Sequence, residues 1–217
     1  GHDSDFYEDL VRLKQSFPQI TTTNTTFCKE LWDEINAFTH ELTATTQADD
    51  IKLQPAIAAT REVYKRCGKD PSRYRPSAEA LRRRLMRGLE LYRIDTLVDL
   101  INLVSLRTGY SIGGFDADKI QGNSLELGIG RAEEPFEGIG RGVLNIEGLP
   151  VYRDSTGGIG TPTSDNERTK MGLETRHILA IVNGYSGNDG LAEAAGMIQE
   201  LLRKYAASDG GTVLYFE

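Results

Sequence analysis

Cysteine is scarce in this chain. There are two, Cys28 and Cys67, far apart and in neither a metal-ligand spacing nor a nucleophile motif. Their number excludes a small scaffold held by several disulfides and points to a reducing compartment. Histidine is nearly as rare, at three. His40 in a polar helix and His177 at the head of an apolar strand read as structural, and with two cysteines they make no zinc-binding cluster. No apolar run approaches the roughly 18 residues of a membrane helix. The polar, acidic first residues do not resemble a secretory signal, so the expected location is the cytoplasm. Glycine pairs at 128/130, 138/140 and 157/160 do not form G-x-G-x-x-G between a strand and a helix, which argues against a nucleotide fold. They read as turns and bulges.

What the chain does have is an uneven charge. Residues 61–93 hold 11 Lys or Arg against 4 Asp or Glu, a surplus of +7, while the net charge of −7 leaves −14 on the remainder. A basic stripe on an acidic body binds phosphate locally and suppresses indiscriminate contact with nucleic acid. Arg82, Arg83 and Arg84, helped by Arg73, Arg75 and Arg87, are candidates for such a patch. A solvated helix face with arginines lying over apolar neighbours is the other reading. Aromatic residues near this stretch, Tyr74, Tyr92, Tyr110 and Phe115, suit the stacking of a single-stranded RNA end, although each also suits a core.

Apolar spacing predicts helices over 6–14, 27–42 and 57–67, the last stopped by Gly68. A proline-containing loop follows at 69–76, then a helix from Ser77, as N-cap, to about residue 87. The clearest helix covers 95–107, where Leu97, Leu100, Ile101 and Val104 form a buried stripe and Gly109 ends it. Its other face carries Asp95, Asp99 and Asn102. Asn is a poor helix former, so Asn102 is either a binding amide or the partner of a buried carbonyl. Beyond residue 110 short strands are predicted at 125–129, 143–146, 149–152, 178–182 and 212–216, with a helix over 191–205 before the last. Helices followed by strands indicate an α+β fold. The hydroxyl-rich segment Thr161-Pro162-Thr163-Ser164-Asp165 follows Gly157, Gly158 and Gly160. It reads as a capped turn or as a loop that holds water or an amino-acid group.

Three stretches in order, RPSAEALRRRL from Arg75, VDLINLVSLRTGYSIGGFDADKI from Val98 and GGIGTPTSDNERT from Gly157, together resemble the editing and tRNA-binding module of the phenylalanyl-tRNA synthetase beta chain. The resemblance covers roughly residues 55–185, and the Val98–Asn102 and Phe115–Asp118 pieces are its most specific parts. It implies a three-layer arrangement of two β-sheets and helices over 55–217, with 1–54 as an N-terminal helical extension. It also implies hydrolysis of the ester of a mischarged aminoacyl-tRNA in trans, with free-standing relatives linked to canavanyl-tRNA for arginine. No cofactor or metal is implied, and the partner is the acceptor end of a tRNA. In this reading a cleft lies between the Asn102 helix, a turn at 111–116 and the loop at 157–165. Asn102 orients the aminoacyl group, while Thr161 and Thr163 hold the water. Asp99, Ser111, Gly113, Asp116, Gly158 and Asp165 bind substrate. The chain departs from the synthetase pattern at Gly113, where the bacterial module has His, and at Ile159, where it has Glu. A non-catalytic module that binds RNA or an amino-acid-like ligand is the alternative, supported by the absence of any His or Glu base in the motif.

Overall fold

The computed structural model describes residues 20–216. The helix expected at 6–14 lies outside them. Two short-range rules explain most of the helix ends. Helix α1 (Lys29–Thr45) lays Leu31, Trp32, Ile35 and Leu42 inward, and a 3-10 segment, Ala48–Leu53, leads to α2 (Pro55–Arg66). Pro55 starts α2, where a missing N–H costs nothing, and the Gln54 side chain accepts the Ile57 amide. Helix α3 (Ser77–Met86) follows Pro76. Ser77 is not its cap: it is the first helical residue, and its amide donates to the Pro162 carbonyl at 2.8 Å. Helix α4 (Thr96–Thr108) is capped by Asp95, whose carboxylate accepts the Val98 amide at 2.9 Å. Gly109 ends it with φ +79° and sits against the Gln54 side chain, so a Cβ there has neither conformation nor room.

Three antiparallel sheets follow. Strands β1 (Ile20–Thr21), β2 (Ser111–Asp116) and β8 (His177–Asn183) form the first, in the order β1-β8-β2. Strands β3 (Glu126–Ile129), β6 (Pro150–Arg153) and β7 (Gly158–Gly160) form the second, and β4 (Glu137–Gly138) with β5 (Gly142–Val143) a small hairpin. A last helix, α5 (Leu191–Tyr205), packs on α4. This is an α+β fold. No described helix is long and apolar enough to cross a membrane.

The β2–β8 register runs from Ser111↔Asn183 to Asp116↔Ile178, and alternation along it assigns the layers. Ile178, Ala180 and Val182, with Ile112, turn to a core shared with α1, α4 and α5, in which Leu97, Leu100, Leu103, Val104 and Leu106 are fully enclosed. Each such side chain contributes roughly 1.5–3 kcal/mol by leaving water. Leu179 and Ile181 turn the other way, to Phe115, Ile120, Leu125, Ile159 and Tyr152 between the two larger sheets. Helices, first sheet and second sheet are thus three layers with two seams, and the sheet–sheet seam carries the polar groups described below.

Three expectations differ from the structure. The 111–116 segment is a strand and not a turn. The Gly113-Gly114 pair that suggests a bend is extended because its missing side chains leave room for others. A Cβ on Gly113 would sit 2.8 Å from the Phe115 ring, and one on Gly114 would sit 2.7 Å from Ile101 and Met171. Of the 143–146 strand, Val143 alone pairs, in β5. Residues 212–216 form no strand. Gly210 and Gly211, at φ +90° and +65°, redirect the chain where it meets Ile20.

Candidate functional site

The loop at 161–165 is held by its own hydroxyls. Thr161 Oγ1 accepts the Thr163 and Ser164 amides at 3.1 and 3.0 Å and donates to the Ser164 carbonyl at 3.1 Å. Thr163 Oγ1 donates to the Tyr74 carbonyl at 2.9 Å and pairs with the Tyr64 hydroxyl at 2.8 Å. Both threonines are buried. Their hydroxyls therefore shape the loop, in place of the water-holding role expected of them.

What this loop presents is Asp165. Strand β2 is an edge strand, and its Gly114 amide donates to Asp165 Oδ2 at 3.2 Å. Oδ1 lies on the Gly113 side, 3.2 Å from where a Gly113 Cβ would stand and 2.8 Å from that of Gly160. The Phe115 ring occupies the same space, 2.8 Å and 2.6 Å from those two positions. Gly113 and Gly160, one from each sheet, are therefore what lets a ring and a carboxylate share the seam. Burial pushes the Asp165 carboxyl up to about 7, against the opposing hydrogen bond from Gly114. Its residue is half-buried, and among the described residues no cation pairs with it and no group bonds its Oδ1.

The other aspartates expected near a ligand are taken. Asp154 is locked to Arg168 by two bonds of 2.8 Å. Asp116 accepts the Thr175 hydroxyl at 2.8 Å and the Asp118 amide at 3.0 Å, while Asp118 bonds His177 at 2.8 Å. Gly158 is buried, with the Val151 methyl and Phe136 ring 3.0 and 3.1 Å from its would-be Cβ, so it packs the neighbouring core.

Asn102 and Asp99 are not brought to the loop. Ile101 touches β2 from the Gly114 side, so the strand stands between α4 and Asp165. Asp99 instead accepts the Trp32 indole N–H at 3.0 Å and the Ile94 amide at 3.1 Å, which joins α1 to α4. Burial raises its carboxyl to about 6. Asn102 is half-buried on the same helix. The regular i, i+3 pattern identified a polar face correctly, but that face meets a helix.

Other groups that line the seam were not singled out in the sequence. Asn183 is buried opposite Ser111. Its Nδ2 donates to the Ser111 carbonyl at 3.0 Å, which aims Oδ1 away. Ser111 Oγ accepts the Ala78 amide at 3.2 Å. Asn183 Oδ1 and the Tyr185 hydroxyl are both sealed from solvent without a hydrogen-bond partner among the described residues. Tyr152 pairs across the sheet with Gly160, and burial pushes its phenol up to about 12. Burial also raises Tyr185, with smaller contributions from nearby Tyr152, Tyr64 and Cys67. The phenols stay protonated at neutral pH and can donate as well as accept. The signal for Asn183 was present: His177, Leu179, Ile181 and Asn183 share one face of an alternating strand. Tyr185 lies past the strand end, where no period applies.

The six arginines do not form one surface. Arg82 is buried and donates to the Leu106 carbonyl at 2.6 Å, closing the end of α4. Buried Glu79 is held by Arg61 at 2.8 Å and Arg83 at 2.6 Å, with Arg75 at 4.0 Å. Arg84 lies 3.9 Å over the exposed Tyr92 ring and donates to the Glu90 carbonyl at 2.6 Å. Arg73 lies 5.5 Å from the Tyr74 ring centre. Arg82 thus belongs to the interior, and the stripe's outward charge rests on Arg73, Arg75, Arg83, Arg84 and Arg87.

The site is thus a half-buried carboxylate between two small sheets of an α+β fold, with a basic helix beside it. The chain belongs to the B3/4 domain family, found in the phenylalanyl-tRNA synthetase beta chain, whose family model matches residues 59–201. Comparison with curated proteins gives no match. Family membership supports a synthetase-related RNA-binding or editing module with tRNA as partner.

Proposed function

We propose that the protein is a trans-editing deacylase that hydrolyses the ester of a mischarged aminoacyl-tRNA, with the aminoacyl group entering the seam between the sheets. The observation that carries this reading is Asp165: a half-buried carboxylate beside Gly113, Gly160 and Phe115, pushed up to about 7 and, among the described residues, paired with no cation. Desolvating an ionisable group has a cost that structure alone does not require, and such groups cluster at functional sites. A carboxylate there attracts a cationic or guanidino side chain and does not attract a phenol. That supports an arginine analogue such as canavanine over tyrosine as the rejected amino acid. Gly113 removes the synthetase His from the same place, consistent with a changed pocket.

The chemistry asked of the protein is modest. An aminoacyl ester is activated, and water need only be positioned and the developing oxyanion stabilised. The Tyr152 phenol is a protonated donor available for that charge. Thr161 and Thr163 hold the loop that sets the position of Asp165. Arg73, Arg75, Arg84 and Arg87 contact acceptor-stem phosphates by charge alone, which positions the RNA without reading its sequence.

The test is ester loss from a panel of correctly and wrongly charged tRNAs incubated with the purified protein. Faster cleavage of arginine-analogue esters than of tyrosyl esters is expected. Protein that binds tRNA and cleaves none of the panel is a binding module, as its lack of a His or Glu base would then indicate.

A further inference from the structure

Five buried side-chain polar atoms have no hydrogen-bond partner among the described residues, on Thr22, Arg82, Thr169, Asn183 and Tyr185, and the last two belong to the sheet–sheet seam. Asn183 Oδ1 and the Tyr185 hydroxyl lie at one end of β8, sealed from solvent and unbonded among the described residues. Stranded buried polar atoms are rare because each forfeits its hydrogen bond to water. The Asn183 amide is fixed by its bond to the Ser111 carbonyl, and its orientation leaves an acceptor facing the seam. Asn183 lies opposite Ser111, two residues along β2 from Gly113, where Asp165 Oδ1 sits. Same-face positions two residues apart are separated by about 7 Å. The seam thus carries two acceptor sites, one neutral on β8 and one anionic beside β2.

The chemistry of the first site is specific. Asn183 Oδ1 only accepts. The phenolic oxygen of Tyr185 accepts equally well, and the Tyr152 and Tyr185 rings supply π faces that attract cations. Among the described residues no cation is hydrogen-bonded to Asn183 Oδ1 or to the Tyr185 hydroxyl. A group that only donates is what such a place accepts. Every aminoacyl ester carries one in its α-ammonium.

We propose that Asn183 and Tyr185 form a recognition site for the free α-amino group of the substrate, so that the protein acts on unblocked aminoacyl esters and refuses N-acylated and peptidyl ones. The inference rests on the deacylase reading and deepens it: Asp165 addresses the side chain and the end of β8 addresses the backbone amine. A site built to bond a donor rejects the analogue lacking it far more strongly than an apolar pocket rejects a shape.

Each ester in the tRNA panel is prepared with its α-amine free and, separately, acetylated. Wild-type protein is expected to cleave the free form at least 100-fold faster. Tyr185→Phe removes only the hydroxyl and is expected to slow the free form by about 10- to 100-fold. Because that hydroxyl has no hydrogen-bond partner among the described residues, the same substitution is expected to raise the melting temperature, by about 2 to 4 °C. Equal cleavage of free and acetylated esters overturns the inference and leaves the deacylase standing. So does a Tyr185→Phe protein that melts lower and cleaves normally, since its hydroxyl then serves a buried water. If no ester is cleaved, thermal shift with amino-acid amides and their N-acetyl derivatives decides. Stabilisation by the free amides, lost on acetylation and in Tyr185→Phe, upholds the amine site without the enzyme. No shift with any amide overturns both.

Discussion

Replacing Asp165 by Asn is the most informative single change, because its effect on stability has a sign that depends on pH. The substitution keeps the shape and an acceptor for the Gly114 amide and removes the charge. Burial raises the folded-state carboxyl from an ordinary 3.8 to about 7. Between about pH 4 and pH 7, therefore, the folded protein keeps a proton that the unfolded chain gives up. Stability contributed by this residue is complete below that window and falls as pH rises through it. At 1.36 kcal/mol per pH unit, the ceiling on the loss is about 4 kcal/mol. An Asn side chain must itself be enclosed, which takes back part of the gain. The expected outcome is a variant more stable than wild type by about 1–3 kcal/mol at pH 8 and equal to it within about 0.5 kcal/mol at pH 4. Denaturant titrations of both proteins at the two pH values measure this directly. Ester cleavage should lose its preference for cationic side chains in the same variant. A variant destabilised at pH 8 would mean that the carboxylate is satisfied in the folded protein, and the case for an open recognition group at Asp165 would collapse.

The arginines separate by what they touch. Arg82→Ala should cost about 1–3 kcal/mol of stability by stranding the Leu106 carbonyl and leave the salt dependence of tRNA binding unchanged. The pair Arg84→Ala and Arg87→Ala should leave melting nearly unchanged and lower the log–log salt slope of tRNA binding by about 0.7–0.9 per lost phosphate contact; an unaltered slope removes these two from the RNA surface. Asn102→Ala, on the far side of β2 from Asp165, should keep cleavage within about twofold of wild type and cost about 1 kcal/mol or less of stability. A fall of one or more orders of magnitude in cleavage at normal stability would restore α4 to the site.

The sequence was most legible where one rule dominated. In α4, a four-residue apolar stripe, an Asp cap and a terminal glycine agree, and the helix sits within one residue of its expected bounds. The α+β class and the order of motifs were equally plain. The site was less so, for identifiable reasons. Gly113 and Gly114 look like a turn unless one knows that Phe115, Asp165, Ile101 and Met171 fill the space of their side chains. Asp99 and Asn102 form a polar stripe indistinguishable, on one sequence, from a binding face. Its true counterpart is Trp32, 67 residues away. The basic run at 82–84 counts as a patch by charge, but helical geometry turns Arg82 inward while Glu79 gathers Arg61, Arg75 and Arg83. Periodicity gives a residue's face and not what covers it.

The energetics of the two seams bear on where function sits. Between helices and first sheet, the buried stripe of α4 meets complementary apolar faces, and the Asp99 carboxylate is bonded twice. Between the two sheets the opposite holds. Glycines replace side chains at 113 and 160, and among the described residues a half-buried carboxylate has no cation and a buried amide oxygen and phenol have no partners. Each of these lowers stability, and none is needed to close the sheets, since Phe115, Ile159 and their neighbours already form an apolar core beside them. Local costs that the fold does not require mark places held open for something else. A ligand that supplies donors to both acceptors would satisfy them together, and its binding free energy would then add to stability by mass action. The seam between the sheets is therefore the part of this protein whose stability should respond most to substrate, and the helical seam the part that should not respond at all.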